Sequence, residues 1–121
     1  MLVIAYLAAA LVQTDSSSWT RLFQDASEST YLSVTAASRT RPERIFWLRH
    51  VFPAARAKGV KYSQDQWQVS CAAGTYMMLA VVQYDAAGRA VSAQAVPLSA
   101  RIPARVEPGS RMESVFRAVC G

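Results

Sequence analysis

The chain is short of the residues that carry chemistry. It holds one histidine, His50, and two cysteines, Cys71 and Cys120, in 121 residues. Two Cys and one His cannot fill the four positions of a structural zinc site without recruiting carboxylates. No phosphate loop, G-x-G-x-x-G, H-E-x-x-H or EF-hand spacing occurs. No nucleophile elbow frames a serine, so a Ser–His–acid triad has no setting. The eight acidic residues are scattered, and no two of them can be placed as a pair in a cleft. A single histidine inside a strand reads as structural or solvent-facing. The chain is therefore expected to have no catalytic residues, no metal and no cofactor.

Charge is also sparse. Charged residues make up 17% of the chain against 52% apolar, which excludes the polar signature of disorder. The length suits one domain with one core. The long apolar run that a membrane span needs, about 20 residues, is missing. The run Leu2–Val12 has only 11 residues and contains the small residues Ala8, Ala9 and Ala10. That matches a secretory signal peptide. Residues 1–18 are read as a signal peptide and short polar linker, and 19–121 as the mature domain. The chain is then exported, to the periplasm or the outer-membrane surface. Export permits a disulfide, and two cysteines allow one intrachain pairing, Cys71 with Cys120. Two free buried thiols are the other reading.

What is present reads as strands and then a helix. Residues 30–37 alternate, with Leu32 and Val34 on one face and Tyr31 and Ser33 on the other. Residues 44–52 are rich in the aromatic and β-branched types that suit a pleated sheet. Residues 62–71 place Trp67, Val69 and Cys71 on one face, which turns Cys71 inward. Residues 75–84 are apolar on both faces, as in a central strand or one covered by a second copy. A turn at Asp85–Gly88 joins them to a shorter strand over 89–96. Ser110 and Glu113 form an S-x-x-E capping box, followed by an apolar stripe of Met112, Val115, Phe116 and Val119. Cys120 closes that helix. The layout predicts an α+β fold: a small antiparallel sheet of about five to six strands, packed with a C-terminal helix.

The net charge is +5, and seven of the cations lie between Arg39 and Lys61, opposed only by Glu43. Arg39, Arg41 and Arg44 surround one Pro-containing turn, and Lys58 and Lys61 flank Gly59. If both loops share one edge of the sheet, these five make a patch for an anionic partner. The alternative is a solvated face that keeps the domain soluble. Phe46, Trp47 and Phe52 interleave with the cations, as in some nucleic-acid grooves. Strand alternation puts Trp47 on the opposite face from the other two, however, and export argues against nucleic acid.

In chain order stand Trp19, Tyr31-Leu32, Phe46-Trp47-Leu48, Tyr62-Ser63, Cys71, Tyr84-Asp85 with Gly88, Pro108-Gly109-Ser110 with Glu113, and Cys120. In this order the chain resembles the surface-adhesin protein E family of Gram-negative bacteria, from about Trp19 to Gly121. The resemblance implies an antiparallel sheet packed with a helix, a Cys71–Cys120 bridge and a homodimer. It also implies adhesion to host extracellular-matrix proteins; the cationic patch, read by itself, would suit sulfated glycans or acidic segments of such proteins. The alternative is a periplasmic structural or accessory protein with no host ligand. No cysteine lies near the export segment, so a lipid anchor there is not expected.

Overall fold

Alternation along the chain dictates a sheet, and a meander of antiparallel strands forms it. The computed structural model describes residues 19–35 and 39–121, so the predicted export segment and linker lie outside the described residues. The strands are β1 (Thr20–Gln24), β2 (Ser29–Val34), β3 (Glu43–Val51), β4 (Tyr62–Ser70), β5 (Thr75–Tyr84), β6 (Ala90–Ala95) and β7 (Ala104–Arg105). They lie in the order β1-β2-β3-β4-β5-β6, and β7 joins the start of β5. One helix follows, α1 (Arg111–Cys120). The α+β expectation is met, with the two-residue β7 as an addition. The strand expected over 30–37 ends at Val34, before the part of that range that is not described.

Turn chemistry sets the register. Asp25 Oδ1 accepts hydrogen bonds from the Ser27 and Glu28 amides at 2.8 and 3.0 Å, closing the β1–β2 turn. Asp85 Oδ1 does the same for the Ala87 and Arg89 amides, both at 2.9 Å, in the turn before β6. Gly88 there has φ +82°, a conformation that favours glycine.

The pleat divides the side chains between two faces. Leu32, Phe46, Leu48 and Val69 share one face and receive Val115 and Val119 of α1. Trp47, Val82 and Tyr84 cluster on the other, with Trp19, Tyr62 and Ala93 packed against them. Uninterrupted alternation along β4 keeps Trp67 and Cys71 with the helix-side core, while the register shift opposite Gln66 and Trp67 leaves Leu79 of β5 unpaired.

Both ends of α1 are fastened. At its start, the Ser110 hydroxyl accepts the Glu113 amide at 3.2 Å. Glu113 answers through the Gly109 amide at 3.0 Å, one residue earlier than the capping box predicts. The Ser110 amide is turned instead to Glu107 O. Arg111 reaches the β1–β2 turn through Asp25 at 2.8 Å. At the other end Cys71 and Cys120 are bridged, with Cα atoms 5.7 Å apart. Beside the bridge, Arg44 Nη1 donates to Val119 O at 2.7 Å, a cation on the negative end of the helix.

The bridge spans 49 residues of sequence. Closing a loop of that size removes about 4 kcal/mol of unfolded-chain freedom in the entropic model. We therefore expect a Cys71→Ser/Cys120→Ser variant to lose about 2–5 kcal/mol in urea denaturation, with the sheet's circular dichroism retained. Equal midpoints for variant and oxidised wild type would show that the helix needs no covalent fastening.

Candidate ligand-binding surface

The expected cationic residues divide between two ends of the sheet. Nine-residue β3 runs from Glu43 to Val51, with Arg39, Arg41 and Arg44 at its start and Lys58 and Lys61 beyond its end. At about 3.3 Å per residue that separates the groups by roughly 30 Å, several times the screening length. Arg44 is committed to Val119 O and, through Nε, to Arg41 O at 3.0 Å. Lys61 Nζ donates to Phe52 O at 2.5 Å and to Pro53 O at 2.8 Å. Arg39, Arg41 and Lys58 are exposed and form no ion pair among the described residues.

The register adds a cation that sequence reading missed. Glu43 pairs Ser70, Ser70 pairs Thr75, and Thr75 pairs Arg105. Exposed Arg105 thus joins Arg39 and Arg41 at the bridge end of the sheet. Only the fold brings it there, because the 98–105 segment runs back along the sheet after β6.

A second constellation surrounds His50 on the helix side. Nδ1 lies 2.7 Å from Glu28 Oε2, and Nε2 lies 3.1 Å from Asp65 Oδ2. Thr30 Oγ1 donates to the same Glu28 oxygen at 2.9 Å. The sequence offered no hint of this pair of carboxylates, which lie 22 and 15 residues from His50. Antiparallel pairing brings them together, since His50 stands opposite Thr30 and Ser63. Both ring nitrogens face acceptors, so the imidazolium satisfies the site best. Burial alone would lower the His50 pKa, but the bonds from Asp65 and Glu28 outweigh it and hold the value above 6.5. Burial raises the Glu28 carboxyl, and the bonds from His50 and Thr30 reverse that, leaving it below 4.5. The carboxylates approach opposite nitrogens of one ring, so they do not share a metal ion; no metal-holding group of three occurs among the described residues.

Beside this cluster lies a cavity of about 170 Å³, walled by Phe23, Leu48, Trp67, Met112 and Val115. Its lining is aliphatic and aromatic apart from the Glu28–His50 wall, Thr30 and the Arg111 lip. Thr30 Oγ1 also lies 3.3 Å from His50 Nδ1 on the wall of this cavity, with its own hydrogen directed to Glu28.

A third cluster stands on the opposite face. Arg49 lies 4.2 Å over the Trp19 ring and 5.6 Å from the Tyr62 ring. Its Nε and Nη2 both donate to Gln64 Oε1, at 3.1 and 3.0 Å. Tyr62 and Tyr84 stack with centroids 4.7 Å apart.

These features define a small, disulfide-fastened α+β module whose functional groups are exposed cations and aromatic side chains. The chain belongs to the surface-adhesin protein E family, whose sequence model matches residues 19–121. It is thus an adhesin-like surface protein. No curated protein and no solved structure matches it. Among the described residues no helix is long and apolar enough to cross a membrane.

The His50 cluster makes stability depend on pH. His50 is held above its ordinary value, so its contribution is complete below pH 6.5 and is lost as pH rises through the folded value. Glu28 is held below its own, so its contribution is present above 4.5 and is lost on acidification. His50→Gln is expected to cost about 1–2 kcal/mol at pH 6 and clearly less at pH 9, measured by urea unfolding at both values. An equal cost at the two pH values would mean that His50 carries no charge in this site.

Proposed function

We propose that this protein is an exported adhesin-like binding module that holds anionic segments of host matrix, sulfated glycans or acidic stretches of matrix proteins. The observation that supports this reading is the set of exposed cations at the bridge end of the sheet that form no ion pair among the described residues. Arg39 and Arg41 lie on an exposed turn, and Arg105 joins them through the β3-β4-β5-β7 row. Exposed, unpaired guanidinium groups bind sulfate and carboxylate through two parallel N–H donors. The Cys71 amide donates to Pro42 O at 2.8 Å, which ties the turn carrying Arg39 and Arg41 to the bridge. Lys58 at the far end serves as a separate, weaker contact. Arg44 and Lys61 hold the fold and are not contact residues in this reading.

The second reading is a periplasmic accessory protein without a host ligand. Arg44 and Lys61 favour it, because both spend their charge on backbone carbonyls of the same chain.

Heparin chromatography separates the two. Arg39→Ser/Arg41→Ser/Arg105→Ser should elute at lower salt than wild type, each lost contact lowering the slope of log affinity against log salt by about one. Lys58→Ser should shift elution much less. If the triple variant elutes with wild type, the bridge-end cations are not the ligand surface and the accessory reading takes their place.

A further inference from the structure

The cavity beside His50 plays no part in the binding of anions proposed above. It measures about 170 Å³ and lies between α1 and the strands β1 to β4. An apolar cavity of about 150 Å³ accepts one benzene ring. Phe23 and Trp67 supply aromatic wall here, and Leu48, Met112 and Val115 supply aliphatic wall. The cavity opens to solvent between β1 and the start of α1, where Arg111 is exposed and Phe23 and Met112 are half-buried. Trp67 offers ring carbon rather than its indole N–H, which is fully buried.

The polar wall of this cavity has an acceptor to spare. Glu28 Oε2 takes both the His50 ring, at 2.7 Å, and the Thr30 hydroxyl, at 2.9 Å. Glu28 Oε1 has no hydrogen-bond partner among the described residues. The Glu28 side chain is 22% exposed, so a bound molecule can reach it. Charge is unbalanced as well. Both nitrogens of His50 face carboxylate oxygens, so one imidazolium stands between Glu28 and Asp65. Two negative charges meet one positive, which leaves the wall with one negative charge in excess. At the lip, Arg111 is matched by Asp25 at 2.8 Å and adds no net charge. No described lysine or arginine lies within ion-pair distance of Glu28 or Asp65.

We propose that this cavity binds a small aromatic amine, a single ring carrying an ammonium on a short alkyl arm. The ring fills the space against Phe23 and Trp67, where burial of apolar surface drives binding. The ammonium donates to Glu28 Oε1 and supplies the positive charge that the wall lacks. An aromatic acid fits worse, because its carboxylate meets Glu28 and finds Arg111 already held by Asp25. The site lies beneath α1 and uses none of the strand-end cations.

The test is a titration of the oxidised protein, ¹³C-labelled at its methionine methyls, with benzylamine at pH 6, following the Met112 signal. His50 and the amine are both charged at that pH. Benzyl alcohol keeps the ring with a neutral donor, and benzoate keeps the ring with the opposite charge. Benzylamine should shift the Met112 methyl saturably, benzyl alcohol should bind at least about fivefold more weakly, and benzoate should not saturate. Glu28→Gln keeps the shape of the wall and removes its charge, so it should reduce benzylamine to the affinity of benzyl alcohol. Arg111→Gln leaves Asp25 without its partner at the lip, so it should tighten benzylamine and leave benzyl alcohol unchanged. It also covers the case in which the Glu28 variant does not fold. Absence of saturation by benzylamine in wild type would overturn the site. Benzyl alcohol or benzoate binding as tightly as benzylamine, or wild-type benzylamine curves for both variants, would overturn the assignment of an amine.

Discussion

The Cys71–Cys120 bridge is the constraint on which the rest of the structure depends. A ten-residue helix is marginal alone in water, and its apolar stripe has to be pressed onto a sheet. The bridge does this at the last residue of α1, and Arg44 adds a second fastening one residue earlier through Val119 O. Arg111 and Asp25 hold the opposite end. Fixed at both ends, α1 sets Met112 and Val115 as the roof of the cavity beside His50. Through the Cys71 amide, which donates to Pro42 O, the same bridge is tied to the turn that carries Arg39 and Arg41.

Strand geometry then divides the work between two faces. Adjacent residues of β3 point opposite ways, so Phe46 enters the helix-side core while Trp47 enters the other cluster. The next such pair is Arg49 and His50. His50 turns towards α1 and joins β2 and β4 through Glu28 and Asp65. Arg49 turns away and lies under Trp19. One dipeptide therefore supplies a pH-dependent fastening to one face and, to the other, a cation held by an amide and an aromatic ring. Two carboxylates hold the imidazolium, whereas among the described residues phenols, an indole and an amide surround the guanidinium.

Much of this fold was legible in the sequence. The alternation expected over 30–37 appears as far as Val34, and that of 62–71, the turn at Asp85–Gly88 and the Ser110 cap, each with a local cause, appear as expected. The inward phase of Cys71 and the terminal place of Cys120 pointed to their pairing for the same reason. The sites were less legible because they depend on register. Glu28, His50 and Asp65 have no shared spacing, and only the pairing of β2, β3 and β4 brings them together. Arg105 joins Arg39 and Arg41 only because β7 returns to the start of β5. The internal roles of Arg44 and Lys61 were hidden because their partners are backbone carbonyls, which every residue carries. A cluster of cations in sequence proved to be two groups at opposite ends of a strand, with two of its members committed to the fold.

The central claim is that an oxidised, bridge-fastened module stands on the cell surface, where its cations can meet a ligand. It is tested most directly by protease treatment of intact cells of the native organism, with non-reducing electrophoresis and thiol alkylation of the surviving protein. The account predicts that intact cells lose the protein to protease, and that the protein from untreated cells carries Cys71 and Cys120 unalkylated until reductant is added. Protection until the outer envelope is opened, or two thiols that alkylate freely, would contradict it.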